Sequence, residues 1–70
     1  MSEMELVVNG ERRELSDGTT VAALLEQCKV RPELVVVEVN LTILKRAEHA
    51  STVLQAGDQI EIVRMIGGGG

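Results

Sequence analysis

The sequence predicts an α+β roll: a mixed sheet with one main helix packed on one face. Three observations predict it. An apolar–polar alternation turns on Asn9-Gly10, a single amphipathic stretch follows at helical spacing, and further β-rich runs close the chain. A lone helix after a hairpin buries its apolar stripe only by covering one face of the sheet.

The opening hairpin is "MELVVNGERREL". Met4, Leu6 and Val8 alternate with Glu5, Val7 and Asn9, the period of a strand with one buried face. Asn9-Gly10 supplies the two positive φ values of a type I′ turn. The return strand, Glu11 to Leu15, is mostly charged and is expected to be exposed. Its Arg12 and Arg13 read as residues that keep an edge strand soluble. "SDGTT" then ends the hairpin.

A helix over roughly 20 to 29 follows. Thr19 or Thr20 can cap it, because a hydroxyl accepts a hydrogen bond from an orphan first-turn amide. Val21, Leu24, Leu25 and Cys28 fall at i, i+3, i+4 and i+7 and form one apolar stripe. Cys28 is therefore read as a small core residue rather than a sulfur acceptor. Pro32 sets the far limit, since it pushes Arg31 out of the helical region.

"LVVVEV", Leu34 to Val39, is a β-branched run expected to be buried on much of both faces. A short strand around Ile43 and Leu44 follows, and "AEHASTVL" reads as a turn of 3₁₀ helix. His49 there is expected at the surface, with no second ligand at metal spacing. "QAGDQ" is a turn, and "QIEIVRMI" is the final strand, with Ile60, Ile62 and Arg64 on one side and Glu61, Val63 and Met65 on the other. The first and last strands pair in parallel through a right-handed crossover. That arrangement is the β-grasp, or ubiquitin-like, roll, over residues 1–66, with 67–70 as a glycine tail.

Seventy residues without one aromatic side chain leave a purely aliphatic core. Such a core gives about 3–5 kcal/mol of net stability, and a pocket of ~300 Å³ would hollow it out. A carrier or binding module suits that size, and a self-contained enzyme does not. Eleven acidic residues against seven basic ones give a net charge of −4, which argues against nucleic acid. One cysteine excludes an internal disulfide. The first residues lack the pattern of a signal peptide, and no stretch has membrane-spanning length, so the expected location is the cytoplasm.

Set end to end, "VNGE", "DGTTVAALLEQ", "VVVEVN", "GDQIEIV" and the terminal glycines resemble the thiamine-biosynthesis sulfur carrier family. Each piece is weak alone; their order and spacing over nearly the whole chain carry the resemblance. The molybdopterin synthase small subunit shares the fold and tail but tends to carry prolines before the glycines. Here that segment is Val63, Arg64, Met65 and Ile66. The tail has four glycines where the family pattern has two.

The resemblance implies a protein sulfur carrier that is a co-substrate of partner enzymes. The carboxylate of Gly70, preceded by Gly69, would be adenylated and then converted to a thiocarboxylate. The chain itself would bind no cofactor; ATP would be used by an adenylating enzyme of the ubiquitin-activating (E1-like) type. A persulfide enzyme would supply sulfur, and a thiazole synthase would receive it. Gly67 and Gly68, with Met65 and Ile66, are assigned to partner binding, although strand alternation alone leaves Met65 and Ile66 equally able to close the core. Glycine suits the arm because it enters narrow channels and takes φ values other residues avoid. Four extended glycines reach roughly 13 Å. Two alternatives remain: a sulfur donor for molybdopterin or another thiolated product, and a ubiquitin-like binding module whose tail is never activated.

Overall fold

The computed structural model describes residues 2–65. Strand β1 spans Glu3–Val8 and β2 Glu11–Ser16; helix α1 spans Val21–Gln27; β3 is Val35–Val39, β4 Thr42–Leu44 and β5 Gln59–Arg64. Short 3₁₀ turns occupy Pro32–Leu34 and Arg46–Glu48. The sheet order is β2-β1-β5-β3-β4, with β1 and β5 parallel and the other neighbours antiparallel. This is the β-grasp roll the sequence predicts.

Each face follows from the period of its strand. Met4, Leu6 and Val8 on β1, Leu15 on β2, Val35 and Val37 on β3 and Ile60 on β5 point to the helix and are buried. Val21, Leu24 and Leu25 meet them from α1, and Leu54 fills the layer from the loop before β5. The opposite face of the sheet is uncovered among the described residues. The expectation that β3 is buried on both faces therefore fails: Val36 and Glu38 are only half-buried. The lone helix covers one face, and the described chain has no second layer for the other.

Helix α1 is capped by loops as much as by itself. Thr20 accepts a hydrogen bond from the Ala23 amide at 3.2 Å, which settles the N-cap. The Val21 amide donates to the Thr52 carbonyl and the Ala22 amide to that of His49, both at 3.0 Å. Orphan amides of the first turn thus find partners in a distant segment. The helix also stops earlier than Pro32 requires. Lys29 takes φ +58°, its amide donates to Glu26 and the Val30 amide to Leu25. That is a Schellman ending, and it turns Val30 back onto the core beside Leu25.

His49 is not at the surface. It is 5 % exposed, and its Nδ1 has no hydrogen-bond partner among the described residues. The segment whose carbonyls cap α1 has to lie against the helix, and the imidazole is carried in with it. Burial, reinforced by the Arg46 guanidinium and opposed by Glu48, holds the His49 pKa below its ordinary 6.5. The unfolded chain thus binds the proton more tightly than the folded one. The stabilisation is complete above pH 6.5 and is lost as the pH falls through that value to the lowered folded one. Urea unfolding between about pH 7.5 and pH 5.5 is expected to show wild-type stability falling, with a flatter slope for His49→Leu. Equal slopes would show that His49 does not carry this pH dependence.

No helix of the described residues is long and apolar enough to cross a membrane.

Candidate functional site: the root of the glycine tail

The tail leaves from β5, the central strand of the sheet, and the geometry of that exit decides how firmly the arm is based. Strand β1 reaches only to the Val8–Ile60 pair, so the last four residues of β5 have lost one neighbour. Asn9 replaces it. Its amide donates to the Ile60 carbonyl at 2.8 Å, its Oδ1 accepts from the Ile62 amide at 2.8 Å, and its Nδ2 donates to the Ile62 carbonyl at 3.4 Å. The side-chain amide copies a peptide group and continues the ladder beyond the turn. A backbone φ of +51° lets Asn9 serve as turn residue and strand surrogate together.

Asn40 does the corresponding work at the other end of β5. Strand β3 stops at Val39, and Asn40 Oδ1 accepts from the Gln59 amide at 3.0 Å while its Nδ2 reaches Asp58 at 2.9 Å. Both neighbours of β5 thus end in a left-handed asparagine that finishes the pairing the strand no longer supplies. The sequence marks Asn9 as a turn former; its second role depends on a partner 53 residues away. Asn9→Gly keeps the turn and removes the surrogate. It is expected to cost about 1–2 kcal/mol, at ~0.5–1.5 per hydrogen bond, and to speed amide exchange at Ile62. Unchanged exchange at Ile62 would show that the side chain does not hold the tail root.

Beyond Ile62 the strand stays paired on its β3 side. Arg64 lies opposite Val35, and the Met65 amide donates to the Leu34 carbonyl at 2.9 Å. The last described residue is therefore anchored through its backbone while its side chain stands 52 % exposed. Met65 does not close the core, because it falls on the helix-free face with Val63, itself 49 % exposed. Exposure is what the partner-binding assignment of Met65 requires. Ile66, Gly67, Gly68, Gly69 and Gly70 lie outside the described residues.

A cleft of about 310 Å³ opens on the helix side of the root, with Val8, Val30 and Ile62 among its apolar walls and Arg13 and Arg64 among its polar ones. Arg13 turns inward from edge strand β2 and donates to Cys28 Sγ at 2.9 Å. Cys28 is half-buried against the core and C-caps α1, in keeping with a packing role. Among the described residues no group of three or more histidine, cysteine and acidic side chains could hold a metal ion.

The comparisons with known proteins agree with this geometry. A sequence model of the ThiS family matches residues 6–69. The thiazole synthase of Paramagnetospirillum magneticum is 46% identical over 66 residues, which cover 94% of this chain. The chain spans only 20% of that protein's length, and the same share of a thiazole synthase from Magnetococcus marinus. The sulfur carrier protein ThiS of Escherichia coli is 33% identical over 94% of this chain and 100% of its own. The crystal structure of a thiamine biosynthesis protein (ThiS) from Geobacter metallireducens superposes with a TM-score of 0.83 at 35% identity, covering 94% of this chain and all of that one. Fold, exit strand and sequence lead to one conclusion: the chain belongs to the ThiS family.

Proposed function

We propose that this protein is a sulfur carrier for thiamine biosynthesis, loaded at the Gly70 carboxylate. The observation that carries the reading is the anchored root: β5 is hydrogen-bonded through Met65, and the all-glycine segment begins two residues later. A rigid body with a slim arm suits chemistry done in another protein's active site. Ordering the arm costs about 1–2 kcal/mol per residue, so docking of the body has to offset it.

The chemistry balances as follows. The carboxylate attacks the α-phosphate of ATP and expels pyrophosphate, leaving an acyl-adenylate on the glycine. The terminal sulfur of a persulfide attacks the acyl carbon and releases AMP, forming an acyl disulfide. A thiol then attacks the other sulfur of that S–S bond, is itself oxidised to a disulfide, and frees the thiocarboxylate. Each activation step belongs to the adenylating and persulfide enzymes; this chain is their co-substrate and binds no cofactor of its own. An ATP-dependent cycle is compatible with the cytoplasmic location expected from the sequence. Thiazole synthase as the receiving enzyme is supported by the two relatives in which a stretch like this chain forms part of a thiazole synthase. Intact-mass measurement after incubation with ATP, the adenylating enzyme and a sulfur donor tests the proposal. Exchange of one oxygen for sulfur at the C-terminus is expected, and an unchanged mass would leave the inert binding module as the better reading.

A further inference from the structure

Asn40 and Leu41 form the two-residue turn between β3 and β4, with φ of +51° and +71°. Asparagine tolerates that conformation; leucine does not, because its Cβ crowds the following carbonyl. The second position of such a turn belongs to glycine. Leu41 is also 90 % exposed, so the fold gains no burial from it. A strained, branched apolar side chain held in water is a local violation of folding rules of the kind that collects at functional sites.

A second cost sits beside it. Glu38 of β3 and Glu61 of β5 are direct cross-strand partners on the helix-free face, and Glu38 is half-buried. Like charges in that relation destabilise a sheet. On the other side of Glu38 its partner is Ile43, 63 % exposed. A groove of about 370 Å³ runs between these groups, lined by Glu38, Asn40, Leu41, Gly57, Gln59 and Glu61. One small area thus concentrates an exposed apolar tip, paired carboxylates and a groove, at the expense of stability.

We propose that the Leu41 tip and this groove dock a basic-rimmed apolar notch on the thiazole synthase partner, a lysine or arginine entering between Glu38 and Glu61. The inference rests on the sulfur-carrier reading. Charge complementarity calls for a basic partner and excludes a second copy, since a two-fold axis would set carboxylate pairs against carboxylate pairs; the thiazole synthases that contain a stretch like this chain supply the occupant. The groove lies along Gln59 to Glu61 of β5, four to six residues before Met65, so roughly 13–20 Å of strand separates it from the last anchored residue. A partner gripping there leaves the arm free to enter an active site. This is a second handle on the body, a source of the docking energy that tail ordering consumes.

The test measures melting temperature and affinity together, with the thiazole synthase of the same organism as probe. Leu41→Gly is expected to melt several degrees higher and to bind at least tenfold more weakly. Glu38→Gln/Glu61→Gln is expected to melt higher, bind more weakly and lose much of the salt dependence of binding. Equal or tighter binding by Leu41→Gly would overturn the proposal. So would wild-type self-association abolished by Leu41→Gly, or a defect confined to the adenylating enzyme. Wild-type chain that loads sulfur but does not bind the synthase also overturns it while leaving the carrier reading intact; failure of the wild type to load removes that reading instead.

Discussion

A chain carrying one extra alanine after Gly70 is expected to accept no sulfur in the presence of ATP, adenylating enzyme and donor. The added residue turns the Gly70 carboxyl into an amide, which neither attacks ATP nor carries a leaving group. The new carboxylate lies one residue further along, ~3.3–3.6 Å from the position the root defines, and brings a Cβ into a channel read by glycine. Misplacement of a reacting group by about 1 Å can cost 10²-fold, so a loss beyond that is expected. Intact mass reads the result directly. Loading of the untrimmed, extended chain at the wild-type rate would exclude terminal-glycine chemistry as proposed.

Leu24→Ala is expected to unfold a large share of the molecules. Leu24 has no exposed surface and lies in the layer between α1 and the sheet. Removing a fully buried leucine costs about 2–5 kcal/mol, with the upper values where the cavity cannot collapse. An aliphatic core of this size supplies only about 3–5 kcal/mol in total. The helix is seven residues long and too short to persist without its packing. Urea or thermal unfolding by circular dichroism measures the loss. Val63→Ala, on the helix-free face, serves as the control and is expected to shift stability by about 0.5 kcal/mol or less. Melting of Leu24→Ala within a few degrees of wild type would mean that α1 is held by something other than this stripe.

The two variants probe different parts of one design. Leu24 keeps the body folded, and in the proposed mechanism the tail works only while the body holds its root in place. Between them stand Asn9 and Asn40, whose side chains complete the pairing of β5 where its neighbours stop. At the Leu41 tip the same sheet gives up stability, which the proposed docking site accounts for.

Local information was enough for most of the elements. Alternation at Met4, Leu6 and Val8 fixes the buried face of β1 because side chains alternate across a strand. The i, i+3, i+4 spacing of Val21, Leu24 and Leu25 fixes the helix stripe because 3.6 residues make a turn. Asn9-Gly10 fixes the first turn through its positive φ values. What the sequence could not show involves partners far away along the chain. Asn9 meets Ile62, and His49 is drawn inward with the loop that caps α1. None of these contacts leaves a periodic trace, since each is made by one side chain or one carbonyl across a tertiary gap. The glycine tail is the reverse case: its composition is plain in the sequence and its proposed chemistry follows from the family resemblance, while the strand that leads to it is placed at the centre of the sheet only by the fold.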